Sequence, residues 1–147
     1  MPSLTKAQFT ALLPQSDAMC LLDTTDSWDA TGIVCGSMSH TRIENPLRCG
    51  GQLPAVAGIE YAAQAMALHG ALATQRERAA PGMLASVRDV VLHVARLDDI
   101  TDRLTVSAKQ LVAQKRHLLY SFLVEGGGRV LLEGRIAVAL GIEGSAV

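Results

Sequence analysis

Glu60 is the first residue in this 147-residue chain whose type and setting suggest chemistry. It stands in the stretch Pro54 to Ala73, which is mainly Ala, Leu, Met and Val. A carboxylate there must leave water, which is costly without a partner. Burial raises a carboxyl pKa, and an acid kept protonated near neutrality can deliver a proton. Gln64, four residues on, shares the helical face of Glu60 and is placed to support it. Each has a second reading: a structural hydrogen bond or subunit-interface ion pair for Glu60, and a loop brace or strand-edge cap for Gln64. His40 ends a strand-like run and opens the loop HTRIENPLRCGGQLP, which leads back to the apolar stretch. An imidazole there can face a cleft as a base or simply fill the interior. His69 falls opposite Glu60 and reads as a satisfied core or helix-end histidine. His93 and His117 read as surface or half-buried strand positions.

Other chemistries lack their residues. No two His, Cys or acidic residues stand at ligand spacing on one element, so no metal is expected. GxSxG, Walker A and Rossmann patterns are missing, and no cofactor is expected. Thirteen basic against fourteen acidic residues leave a net charge of -1, and aromatics are 3%. That is neither a field for phosphates nor a platform for bases, so no nucleic-acid partner is expected. Cys20, Cys35 and Cys49 form an odd set without CxxC, and MPSLTKAQFTALLPQ lacks the apolar core of a signal peptide. These features point to a reducing cytoplasm, with the cysteines as small hydrophobes. Glu60, Gln64 and His69 make the apolar stretch a poor membrane span, so no membrane partner is expected.

The elements that must position these groups follow from periodicity. The chain is long enough for one domain, 1–147, with an ample core: hydrophobic residues are 49%. Residues 4–13 allow a short helix with Phe9, Leu12 and Leu13 on one side. Met19–Thr24 and Gly32–Met38 read as two strands joined by DSWDATG. Pro54 suits a first helical turn, and the helix it opens, running to about Arg78, is apolar nearly all round and therefore predicted to be buried. Beyond Pro81-Gly82 the period becomes two-fold, predicting strands over Leu84–Val94, Leu104–Val112, His117–Val124 and Val130–Leu140. Gly126-Gly127-Gly128 turns the third of these into the fourth. Two strands, a buried helix and four antiparallel strands give an α+β layout in which a sheet wraps a helix, the arrangement of the hot-dog fold.

The run Leu53-Pro54-Ala55-Val56-Ala57-Gly58-Ile59-Glu60-Tyr61-Ala62-Ala63-Gln64-Ala65 resembles the helix motif of hot-dog 3-hydroxyacyl-[acyl carrier protein] dehydratases. Leu13-Pro14 with Met19-Cys20-Leu21-Leu22-Asp23 is similar to that family's first strand, and Ile43-Glu44-Asn45-Pro46-Leu47 to the segment before its active-site loop. The fuller pattern, SHxxxxNPLR then LPAxAGIEYAAQAMALHGAL, most resembles the subfamily of aryl-polyene biosynthesis clusters. The resemblance implies dehydration of a (3R)-3-hydroxyacyl thioester carried by an acyl carrier protein on phosphopantetheine, in a fatty-acid or polyene-type pathway. It implies Glu60 as the acid, Gln64 as its support, and the N–H groups of Ala55 or Val56, behind Pro54, for the thioester oxygen. Asn45 is expected in the substrate-binding loop, and a homodimer or higher homo-oligomer is expected. The family's loop histidine has no counterpart here: Pro46 to Glu60 is shorter than that pattern and contains none. His40 is the nearby residue able to replace it. A hot-dog thioesterase, or a non-catalytic acyl-binding subunit of a dehydratase complex, are the alternatives.

Overall fold

The computed structural model describes residues 3–12, 19–74 and 82–140. Its strands are β1 (Leu4–Thr5), β2 (Thr24–Trp28), β3 (Gly32–Ser37), β4 (Gly82–Leu92), β5 (Leu104–Gln114), β6 (His117–Gly126) and β7 (Arg129–Leu140). They form one antiparallel sheet in the order β1-β2-β3-β5-β6-β7-β4. One helical turn, α1 (Lys6–Phe9), precedes a 3-10 turn at Thr10–Leu12; further 3-10 turns lie at Ser39–Thr41 and at Ala55–Ala57, the last opening α2 (Gly58–Ala73). The sheet wraps α2, which is the hot-dog arrangement.

α2 carries its packing on one side. Tyr61, Ala62, Ala65, Met66 and Leu68 share a core with Val106, Tyr120, Phe122 and Val124 of the central strands. Each large side chain buried there contributes roughly 1.5–3 kcal/mol relative to exposure. The helix start lies so close to β7 that a Cβ on Gly58 would stand 2.6 Å from Leu132 Cδ2. The opposite side is open: Val56 is 52% exposed, and Glu60, Ala63 and Ala67 follow it along one line, each half-buried. The helix is therefore not buried all round, because the sheet covers one face only.

Two further expectations change. The N-terminal residues form β1, α1 and a 3-10 turn instead of one helix, with Phe9 buried and Leu13 outside the described residues. Met19–Asp23 is no strand, and β2 begins only at Thr24, the last residue of the expected strand, and runs on to Trp28 inside the expected connector. The cause is side-chain competition for the backbone. Gln64 Oε1 accepts from Leu21 N–H at 2.9 Å, and Ser37 and Ser39 hydroxyls donate to the Leu21 carbonyl at 2.5 and 2.8 Å. At the far end of the sheet, the outer edge of β4 pairs with no strand among the described residues. Val91 and Leu92 are exposed there. No helix among the described residues is long and apolar enough to cross a membrane.

Candidate active site

Glu60 sits in the first turn of α2, half-buried on its open line. Gln64 is fully buried, and three partners fix its amide. Oε1 takes Leu21 N–H, while Nε2 donates to the Met19 carbonyl at 2.7 Å and to Glu60 Oε1 at 3.4 Å. Both readings of Gln64 therefore hold together: it braces the 19–21 segment, and the same amide orients the carboxyl. Its polar atoms all meet protein, so its route to a ligand runs through Glu60.

Tyr61 points inward beside it and anchors the loop that follows β3. Asn45 Nδ2 donates to the Tyr61 hydroxyl at 3.0 Å and to the Ser39 carbonyl at 2.9 Å, and Asn45 Oδ1 accepts from Leu47 N–H. The Tyr61 hydroxyl donates to Ser39 Oγ at 2.6 Å, and Ser39 donates onward to Leu21. Burial pushes the Tyr61 phenol above its ordinary pKa, keeping it a donor. Asn45 is thus a loop brace inside the fold. This relay through Ser37, Ser39 and Tyr61 carries no sequence signal, since serines and a tyrosine at these spacings mean nothing until the loop folds onto α2.

His40 lies in a 3-10 turn, Ser39–Thr41, and is fully buried. Its Nε2 meets the Ile100 carbonyl at 2.9 Å. A carbonyl only accepts, so Nε2 carries the hydrogen of the neutral ring and Nδ1 keeps the lone pair. Nδ1 is buried and makes no hydrogen bond among the described residues. Burial lowers the His40 pKa below the ordinary imidazole range, against the pull of the Ile100 and Asp102 carbonyls. Arg48 Nη2 donates to the His40 carbonyl at 3.3 Å and Nη1 to the Gly51 carbonyl at 2.8 Å. The strap between them is a tight hairpin, with Cys49 and Gln52 exchanging backbone bonds across Gly50 and Gly51, whose φ values of +59° and +80° suit glycine.

The helix start differs from expectation. Ala55 N–H is not free: it donates to the Ala95 carbonyl at 3.0 Å. The cause is the strand-like pairing of Pro54 with Arg96, which lays the helix entry along the 95–98 segment. Leu53 N–H is likewise held by Asp98 Oδ1 at 2.8 Å, and the Arg96 guanidinium keeps Asp98 well below the usual carboxylate range. Val56 N–H, second in the 3-10 turn, precedes the first intrahelical bond and is the remaining donor of this turn among the described residues. A cavity of about 160 Å³ opens between Lys6, Cys20, Leu21, Ser39, Arg42 and Asn45. A groove of about 560 Å³ runs beside Trp28, Lys109 and Leu123. Neither is lined by Glu60 or His40.

Comparisons with known proteins bear on the family and the fold. The ApeP-like family profile, described as ApeP dehydratase, matches residues 7–143. No curated protein matches the sequence. Among solved structures, the dehydratase heterocomplex ApeI:P from Xenorhabdus doucetiae superposes with TM-score 0.80 at 21% identity, covering 92% of this chain and 92% of that one. AziG of S. sahachiroi gives TM-score 0.60 at 14% identity over 80% and 90%. A mutant form of the Pseudomonas aeruginosa thioesterase PA1618 gives 0.57 at 14% over 79% and 78%. At these identities the superpositions speak for the fold.

Proposed function

The chain belongs to the ApeP-like dehydratase family, and from that membership we propose that it removes water from a (3R)-3-hydroxyacyl thioester borne on an acyl carrier protein, in a polyene-type pathway. The observation that carries this reading is Glu60, set on the open line of α2 and oriented by Gln64 Nε2. Glu60 in its acid form protonates the C3 hydroxyl as the C3–O bond breaks. His40 Nδ1 takes the C2 proton, and the electron pair of that C–H bond becomes the new double bond. Val56 N–H faces the thioester oxygen as negative charge grows on it. The small side chains of Ala57 and Ala67 leave room for an acyl chain. The outer edge of β4, which pairs with no strand among the described residues and leaves Val91 and Leu92 exposed, supports association through that strand into at least a dimer.

One observation favours a second reading. His40 is sealed within the protomer, and the structural match at TM-score 0.80 is to a heterocomplex. A non-catalytic acyl-binding subunit, paired with an active homologue, fits both facts. Incubating a 3-hydroxyacyl carrier protein with the purified chain, alone and with a homologous hot-dog subunit, separates the cases. The expected product of the chain alone is the trans-2-enoyl thioester. Free acid would show a thioesterase instead, and turnover only with the second subunit would show the acyl-binding role.

A further inference from the structure

Beside His40 stands a half-buried cation with no counter-charge among the described residues. Arg48 is half-buried, yet no carboxylate pairs with it among the described residues. Arg96, also half-buried, is locked to Asp98, and even the exposed Arg103 is paired with Asp26. The two carbonyl contacts of Arg48, to His40 and Gly51, hold the guanidinium by its terminal nitrogens. Its Nε is buried and donates to nothing among the described residues. An unmatched charged donor costs more than an ordinary lost hydrogen bond, and an oxygen that gains negative charge would match it.

The second unmatched atom of this corner is His40 Nδ1, on the residue whose carbonyl Arg48 grips. One residue offers a cationic N–H and the other a neutral lone pair. That combination suits a group that gives up a proton and gains negative charge next to it. The helix start does not supply the full complement of donors, since Ala55 N–H is spent on Ala95.

We infer that Arg48 is a catalytic residue whose Nε–H meets the thioester oxygen and stabilises the enolate formed when His40 Nδ1 removes the C2 proton. In that step the C2–H bond breaks, its proton passes to Nδ1, and its electron pair is shared between C2 and the thioester oxygen. Loss of the C3 hydroxyl then consumes the enolate. The substrate rests on the reading under Proposed function; the donor assignment rests on Arg48 and His40 alone.

The test uses acetoacetyl-pantetheine, a 3-keto thioester that enolises without losing water and whose enolate absorbs in the near ultraviolet. Wild-type protein at neutral pH is expected to raise the enolate absorbance. Arg48→Gln should abolish the rise, and Arg48→Lys should restore it in part. Thermal melts check that each variant folds, and Arg48→Lys serves if Arg48→Gln does not. In dehydration, Arg48→Gln should lower kcat by about 10²–10³-fold with KM little changed. No enolate signal in the wild type, or an equal signal in Arg48→Gln, overturns the assignment. So does a rise in KM at unchanged kcat, which would make Arg48 a ground-state anchor for the phosphopantetheine arm. An Arg48-dependent signal in a protein that eliminates no water would leave Arg48 in place and overturn the dehydratase reading instead.

Discussion

At the C-terminal half of α2, His69 Nε2 donates to the Asp29 carbonyl at 2.9 Å, and Nδ1 meets the Tyr120 hydroxyl at 2.5 Å, itself a partner of Gln110 Nε2 at 3.1 Å. At the other end, among the described residues, Glu60 has only the long contact from Gln64, His40 bonds through one ring nitrogen, and Arg48 Nε through none. Both ends place histidine in the interior, and burial lowers the pKa of both rings. The difference lies in completeness. A neutral His69 satisfies every polar atom around it with one tautomer, and burial of the Tyr120 phenol, pushed up to about 12, keeps that hydroxyl a donor. Such a closed network holds the turn after β2, α2, β5 and β6 together. The open network at the helix start leaves a lone pair and a cationic N–H, which contribute nothing to the fold as they stand.

The comparison breaks most sharply at Glu60. Glu60→Gln is nearly isosteric and should lower turnover by about 10²–10⁴-fold while leaving the melting temperature close to wild type. A variant that melts far lower yet retains its specific activity would move Glu60 to the structural side. His69→Ala should do the reverse. It strands the Tyr120 hydroxyl and the Asp29 carbonyl and opens a cavity, costing about 2–4 kcal/mol in denaturant unfolding. Activity per folded molecule should be retained; a selective loss of kcat would give His69 a chemical role.

Acid sharpens the contrast. Both histidines bind protons more weakly folded than unfolded, so their contribution is full above the unfolded value near pH 6.5 and is lost as pH falls through the lowered folded values. Denaturation midpoints should therefore decline on acidification below about pH 6.5, with a slope about one proton shallower in His69→Gln. A slope unchanged in that variant would show that His69 is not among the groups responsible. The smallest effect belongs to the strap. Gly51→Ala forces a side chain onto φ +80° in open space, so strain alone should cost roughly 1–2 kcal/mol. Because Arg48 holds the Gly51 carbonyl, dehydration should fall by more than the folded fraction does. Activity that tracks the folded fraction would separate the strap from the site.

Much of this architecture is legible from residue order. The alternation Leu118, Tyr120, Phe122, Val124 marks β6, and Tyr120, Phe122 and Val124 are buried as the two-fold period requires. Glu60 and Gln64 fall one turn apart on any helix, so their contact needs no knowledge of the sheet. His69, predicted to be satisfied inside, is so. The reading fails where apolar content stands in for geometry. Met19–Asp23 is apolar enough for a strand, but buried side chains of Gln64, Ser37 and Ser39 claim the backbone of Leu21 at its centre. The sequence of α2 reads as buried all round because small residues hide which face the sheet covers.

Local composition and period thus determined the helix, the long strands and the Glu60–Gln64 pair, because those depend on neighbours three or four residues away or on strict alternation. Tertiary structure alone decided which nitrogen of His40 is free, through a carbonyl distant in sequence at Ile100. It also removed the Ala55 N–H from the site, by docking the helix entry on Ala95. Arg48 is a candidate only in the folded chain, where its charge is half-buried and pairs with no carboxylate among the described residues; an arginine in a glycine-rich loop is by sequence an ordinary solvated side chain. A buried donor or acceptor is matched or unmatched according to what the rest of the chain brings against it, and that is fixed only when distant segments pack.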